Sequence, residues 1–246
     1  MPERKTLLIT GSEGTIGLVL AQALASDFNI KTLDRKRRGD ERTHFTVDLA
    51  DMESLQQVIS NIQPIDFAIH LAANPDPAAP WEDILRNNIT ATRNLYECAK
   101  IFNIGRIVFA SSTHLQGAYE GYPQTSPSGR PLTIADPPRP DSYYGISKSF
   151  GELLARKFYD LHSITTICLR IGSVFPDDQP FHPWDRIWLS HQDLVQVFLK
   201  ALKSPIPFGI YYATSEIEGN PFDLEPTKKD LNYSPQSRLS PPDGAR

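Results

Sequence analysis

Thr10-Gly11-Ser12-Glu13-Gly14-Thr15-Ile16-Gly17 lies between an apolar run, Lys5 to Thr10, and a segment whose apolar residues Leu18, Ala21, Leu24 and Ala25 recur at helical spacing. Strand, glycine turn and helix is the reading these periodicities give. A second strand-like run, Ile30 to Leu33, ends at Asp34, 23 positions after Gly11. Glycines in such a turn let backbone amides at a helix N-terminus approach a pyrophosphate, and an acid about 20 residues on can accept hydrogen bonds from a ribose. The stretch therefore predicts the first unit of a dinucleotide-binding fold. The basic run Arg35, Lys36, Arg37 and Arg38 could attract a 2′-phosphate or form a solvated turn. Asp34 would repel that phosphate, so NAD is expected over NADP.

Outward from this unit the alternation continues. Strands are expected at His44 to Val47, Phe67 to Leu71, Arg106 to Ala110, Thr165 to Arg170 and Gly209 to Ala213, and helices at Asp51 to Ile62, Pro80 to Phe102, the segment around Tyr144 and Lys148, and Asp193 to Leu202. Strands alternating with helices of this length predict an α/β fold, a Rossmann-type doubly wound parallel sheet. A small C-terminal substrate cap completes the expectation: residues 1–175 form the nucleotide-binding domain, 176–217 a cap interleaved with the sheet, and 218–246 an irregular tail. The proline-rich stretch Gly117 to Asp141 is too long for a passive connection and is expected to pack over the site.

Chemistry-bearing residues fall at the carboxyl ends of these strands, where open α/β sheets bind ligands. Asp48 follows the third strand and is either an adenine-edge acceptor or an exposed loop acid. Leu71-Ala72-Ala73 ends the fourth strand with small residues. Ser111-Ser112-Thr113-His114 ends the fifth, where a serine either bonds a reacting oxygen or caps the next turn. Tyr144 and Lys148 are four residues apart, on one helix face. They form either an exposed pair or an acid–base pair, in which a neighbouring ammonium favours the phenolate.

In this order the TGxxGxxG turn, Asp34, Asn88, Ser112 and Tyr144-x-x-x-Lys148 resemble the extended short-chain dehydrogenase/reductase (NAD-dependent epimerase/dehydratase) family over about residues 5 to 200. The resemblance implies a catalytic set of Ser112, Tyr144 and Lys148, with Asn88 helping to hold the lysine through a water. It implies a cofactor site in which Gly11, Gly14 and Gly17 line the pyrophosphate, Asp34 the ribose and Asp48 the adenine. Ser12, Thr15, Ile16, Arg35, Leu49, Leu71, Ala72, Ala73, Asn88, Tyr144, Lys148 and Ile171 contribute to the same site. Ser111 to His114, Tyr144 to Lys148, Arg170 to Ser173 and Trp188 to Ser190 look like the uronate dehydrogenase branch. The His70 to Trp81 pattern is shared with NAD-dependent glucose-6-phosphate dehydrogenases.

Both branches oxidise the anomeric carbon of a sugar to a lactone, so the resemblance implies an oxidoreductase taking a small anionic sugar, foremost a hexuronate. Ser112, Thr113, His114, Tyr144, Ser173 and Arg186 would hold it. For Arg186 the alternative is a surface ion pair with Asp185. The sequence departs from the uronate pattern at Thr113, where asparagine is usual, near Asn74 and Pro75, where a serine is usual, and in a longer Ser173 to Arg186 spacing. Only 98 residues follow Lys148, short of the larger nucleotide-recognition domain of nucleotide-sugar epimerases. A sugar epimerase with retained NAD and a non-catalytic dinucleotide sensor are the rival readings; intact Ser112, Tyr144 and Lys148 count against the sensor.

Composition narrows the rest. A chain of 246 residues with 40% hydrophobic content suffices for a substantial core. Two distant cysteines in apolar surroundings, Cys98 and Cys168, predict buried thiols rather than a disulfide or metal framework, and a cytoplasmic setting. A net charge of −4 argues against nucleic acid as partner, and no run of about 18 apolar residues argues for membrane insertion. Assembly into a homodimer or higher homo-oligomer through the long helices is expected by analogy.

Overall fold

The computed structural model describes residues 4–36, 43–119, 129–181 and 184–239. The chain runs β1 (Thr6–Thr10), α1 (Thr15–Ala23), β2 (Asn29–Asp34), β3 (His44–Thr46), α2 (Met52–Asn61), β4 (Phe67–His70), α3 (Trp81–Ile84), α4 (Ala91–Ile101) and β5 (Arg106–Ser112). There follow α5 (Tyr143–His162), β6 (Thr165–Ile171), α6 (His191–Lys203), β7 (Phe208–Ala213), β8 (Glu216–Ile217), α7 (Glu225–Leu231) and β9 (Arg238–Leu239). β1 to β7 form one sheet in the order β3-β2-β1-β4-β5-β6-β7, every pairing parallel.

Strand burial explains why the central strands read as continuous apolar runs rather than alternations: all five residues of β1 and all seven of β5 are buried. Leu7, Ile9, Val108 and Leu169 face a core shared with α1 and α6, while Leu8, Ala68, Ile107 and Phe109 face one shared with α2, α4 and α5. Three helices, α2, α5 and α6, start at side-chain caps. Asp51, Ser142 and Ser190 each accept a backbone N–H of the first turn, from Ser54, Gly145 and Asp193 respectively. Strand order reverses between β1 and β4, and the crevice of an open α/β sheet lies at that switch.

Three sequence expectations change. The single helix expected from Pro80 to Phe102 is α3 and α4 joined by a π-helical turn, Leu85–Thr90, the kind of insertion that periodicity does not register. The expected boundary at residue 175 is no break in packing, because Leu194, Val197 and Phe198 of α6 and Tyr211 and Ala213 of β7 share the core of β1 and α1. The tail is not irregular throughout: α7 forms, β8 pairs with β9, and Leu231 and Tyr233 join that core. Pro226 does not prevent the helix, because it stands at the tolerated first turn of α7.

Of the proline-rich stretch, residues 120–128 lie outside the described residues, as do Arg37 and Arg38 of the basic run. The described remainder packs Tyr119 and Leu132 against Ile187, Tyr212, Phe222 and Leu224. Its backbone meets the segment after β5, with Arg139 N donating to Leu115 O at 2.9 Å and Ala118 N to Arg139 O at 2.9 Å.

Candidate active site

A cavity of about 510 Å³ opens at the carboxyl edge of β1, β2, β4, β5 and β6. Gly11, Gly14, Thr15, Ile16, Asp34, Arg35, Asp48, Leu49, Leu71, Ala72, Ala73, Ser112, Tyr144, Lys148 and Ile171, all expected from sequence, line it. Lys36 of the basic run and Ser111 of the serine pair line it too, as do Glu13, Pro75, Asn87, Ala91, Ala110, Gly172 and Val174, which were not assigned to the site. Most are chain neighbours of expected residues. Asn87 had no sequence signal; the wide turn before α4 brings its amide to Arg35, whose Nη1 donates to Asn87 Oδ1 at 2.9 Å.

The glycine turn is tightly determined. Gly11 has φ +73°, and a Cβ there would stand 2.6 Å from the Ala72 nitrogen. A Cβ at Gly17 would stand 2.4 Å from the Gly11 carbonyl oxygen, so Gly17 shapes the turn from beneath without lining the cavity. Gly14 caps α1 with no side-chain hydrogen bond, leaving the first-turn amides for an anion. The Ser12 hydroxyl is buried with no protein partner among the described residues. A cradle of free amides, an orphaned hydroxyl and an acid at the end of β2 fit a dinucleotide.

Asp34 is held in place by the backbone, its carboxylate accepting from Glu13 N and from Lys36 N, each at 3.0 Å. Asp48 accepts from Ala50 N at 2.9 Å and from Arg86 at 2.7 Å. Partial burial acts to raise the Asp48 pKa, but these bonds and the charges of Arg86 and Arg35 leave it below its ordinary value.

The end of β5 separates two adjacent serines. Ser111 turns away to donate to Glu152 Oε1 at 2.6 Å, within a buried network in which Glu152 also holds Arg170 through two bonds of 2.9 Å. Ser112 instead stays at the cavity, where its hydroxyl accepts from His114 N at 3.3 Å. Lys148 donates to the Ala110 carbonyl at 2.8 Å, and its ammonium lies 5.4 Å from the Tyr144 ring centroid. Ser112, Tyr144 and Lys148 thus lie together at the cavity.

Their electrostatics differ from the sequence expectation. Burial pushes the Tyr144 phenol above its ordinary pKa, with the Ser112 hydrogen bond pulling it partly back, and burial pushes Lys148 down to about 8. Desolvation, not the neighbouring ammonium, dominates the tyrosine, so both groups are driven toward their neutral forms.

Asn88 is buried, and its side chain is engaged by protein partners. Its buried amide donates to Asn74 O at 3.1 Å and Ser147 Oγ at 3.0 Å and accepts from Asn74 N at 2.7 Å, tying the loop after β4 to α5. Thr113 is buried behind Ser112. His114 sets its ring edge-on to Tyr144, centroids 5.6 Å apart, and contacts Asp141, a residue that carried no sequence signal. Ser173 pairs its backbone with Ile187 and Leu189. Arg186 is exposed, is not among the cavity-lining residues, and donates to the Gly219 carbonyl at 3.2 Å. Cys98 and Cys168 are free buried thiols, and no helix among the described residues is long and apolar enough to cross a membrane.

Residues 7–183 match the profile of a family described as NAD dependent epimerase/dehydratase. The chain is 31% identical over 242 residues to the NAD-dependent glucose-6-phosphate dehydrogenase of Haloferax volcanii, covering 94% of this chain and 92% of the relative. It is 32% identical over 236 residues to the uronate dehydrogenase of Pseudomonas syringae, covering 94% of this chain and 81% of the relative. A crystal structure of a mutant uronate dehydrogenase from Agrobacterium tumefaciens complexed with NAD superposes with a TM-score of 0.82 at 29% identity, covering 98% of this chain and 92% of the other.

Proposed function

From the premise that the chain belongs to the NAD dependent epimerase/dehydratase family, we propose that it is an NAD-dependent sugar dehydrogenase that oxidises the anomeric carbon of a small anionic sugar, a hexuronate, to its lactone. The observation that carries this reading is the convergence of Ser112, Tyr144 and Lys148 on the cavity that also holds the glycine cradle and Asp34. A bound dinucleotide supplies the hydride acceptor, which no side chain can provide. Gly11, Gly14, Ser12 and the first amides of α1 would hold its pyrophosphate, and Asp34 its ribose.

Tyr144 removes the proton of the C1 hydroxyl, and the C1–O bond becomes a carbonyl as the C1 hydrogen departs with its electron pair. Ser112, which lines the cavity with Tyr144, positions the same hydroxyl and stabilises the oxygen while its charge changes, an effect of about a few kcal/mol. Burial brings Lys148 down to about 8, so the lysine beside Tyr144 can release its proton in the mildly alkaline range. Arg186, which donates to the Gly219 carbonyl at 3.2 Å, would recognise the anionic group of the sugar through charge-assisted hydrogen bonds.

A sugar phosphate is the second reading, favoured by the full-length likeness to a glucose-6-phosphate dehydrogenase. Following reduced-cofactor absorbance with NAD or NADP against galacturonate, glucuronate, glucose 6-phosphate and neutral aldoses separates the readings. Uronate-driven NAD reduction is the expected result. Preference for glucose 6-phosphate moves the substrate to the second reading, and no reduction with any sugar rejects the dehydrogenase.

A further inference from the structure

Asp141 stands just before the N-cap of α5, and its carboxylate reaches His114 Nδ1 at 3.1 and 3.3 Å while its Oδ1 accepts the Ser142 hydroxyl at 2.8 Å. Ser142 in turn accepts Gly145 N at 3.1 Å and so begins the helix that carries Tyr144 and Lys148. One carboxylate therefore joins the turn after β5, which holds Ser112 and His114, to the start of α5. Two glycines make room for the joint. A Cβ at Gly117 would stand 2.0 Å from Asp141 Oδ2, and one at Gly145 2.4 Å from the His114 carbonyl oxygen.

The pairing also settles the imidazole. An ionised carboxylate only accepts, so His114 Nδ1 must carry the proton it shares with Asp141. Nε2 has no protein hydrogen-bond partner among the described residues, and its ring lies edge-on to Tyr144. We propose, resting on the sugar-dehydrogenase reading above, that Asp141 is a positioning residue: it locks His114 in the Nδ1–H form, so that neutral Nε2 accepts a hydroxyl of the sugar beside the reacting carbon.

Asn in place of Asp141 tests this directly, because an amide can turn its NH₂ toward Nδ1 and drive the ring to the Nε2–H form, reversing what His114 offers the sugar. Side chains of His114 and Asp141 are 28% and 32% exposed, so substitutions here leave the core intact. The first readout is the His114 tautomer by ¹⁵N NMR of the whole protein at pH 8. Nδ1–H is expected in the wild type and Nε2–H in Asp141→Asn; an Nε2–H wild type overturns the proposal. The second is a kinetic cycle with the sugar that the panel above identifies. Asp141→Asn is expected to lower kcat/KM for sugar about 10-fold or more with KM for NAD unchanged, and to add less than about 2-fold in a His114→Ala background. Full additivity, or a matching rise in KM for NAD, overturns it. Failure of the wild type to oxidise any sugar removes the functional reading, which the tautomer measurement does not depend on.

Discussion

Lys148 is bound by its ammonium to the Ala110 carbonyl at 2.8 Å, and the same ammonium stands 5.4 Å from the Tyr144 ring centroid. The lysine is therefore anchored to the strand that delivers Ser112, and its position relative to the phenol is fixed by the sheet as well as by its own helix. Lys148 is the member of the pair that releases its proton first.

The rate of sugar oxidation should rise with pH through the region of the first step. Lys148 lies at about 8 and Tyr144 above its ordinary value, so kcat is expected to climb between about pH 7 and 9. Tyr144→Phe should lower kcat by about 10²- to 10⁴-fold at every pH, the range for losing a positioned acid–base group. A wild-type profile flat from pH 6.5 to 9.5 would show that this pair does not gate the reaction.

Lys148 also carries a stability cost with a definite sign. Its pKa is about 8 in the fold against 10.5 for an unperturbed lysine. Below about pH 8 it is charged in both states and the full burial penalty, about 3 kcal/mol, is present. Between these values the unfolded chain binds more protons and the penalty fades as pH rises. Lys148→Met should then raise Tm at pH 7 by about 2–6 °C after allowing for the lost Ala110 bond, while abolishing activity. Calorimetry at pH 7 and at pH 9.5 checks it, the gain being smaller at the higher pH.

What the sequence made legible follows how local each signal was. The glycine cradle and Asp34 were legible because a turn, a strand end and a helix start are contiguous in the chain. Tyr144 and Lys148 were legible because one helix carries both. Ser112 could not be told from Ser111 on composition, and only the pairing of Ser111 with Glu152, 41 residues away, separates them. Asp141 and Asn87 left no trace because their roles depend on partners 27 and 52 residues distant, met only when the sheet forms. The tyrosine's electrostatics were misjudged for the same reason: spacing reveals a neighbouring charge but not the burial that outweighs it.

His70 predicts an acid limit. It is enclosed between Thr10 Oγ1 at 2.7 Å and Thr92 Oγ1 at 3.0 Å. Burial, and secondarily the Lys148 charge, press its pKa down from 6.5 to about 3. The unfolded chain therefore takes up a proton that the fold refuses, and stability present above about pH 6.5 is lost as pH falls toward 3. Between pH 6.5 and 4.5 this group alone removes about 2–3 kcal/mol. In urea titrations His70→Gln should be weaker than wild type at pH 7 yet lose less on acidification; equal losses in both proteins would place the acid sensitivity elsewhere.

Cofactor choice should turn on Asp34. Its carboxylate is fixed by two backbone amides, so it cannot swing aside for a 2′-phosphate, while Arg35 is exposed beside it and donates to the neutral Asn87 side chain. Asp34→Ser is expected to shift the ratio of kcat/KM for NADP over NAD upward by 10-fold or more, about 1.4 kcal/mol. Steady-state kinetics with both cofactors and one sugar measures the ratio; no shift would mean that the basic residues, and not the acid, set the preference.

The sharpest structural prediction concerns Glu152 and Arg170. Their side chains are 6% and 3% exposed and meet through two bonds of 2.9 Å, with Ser111 adding a third to the same carboxylate. Arg170 is driven above its ordinary pKa because the Glu152 bonds and charge outweigh its burial. Glu152→Gln leaves that guanidinium buried against a neutral amide, and removing one member of such a pair costs about 3–5 kcal/mol. Replacing both members, Glu152→Leu with Arg170→Met, leaves no stranded charge and should recover most of the loss, although Tyr212 surrenders its 3.4 Å contact. Urea unfolding of wild type, single and double variants, with unchanged m-values, gives the comparison. A double variant as unstable as the sum of its singles would mean that each side chain stabilises the fold independently and that the charge pairing at the base of the site is incidental.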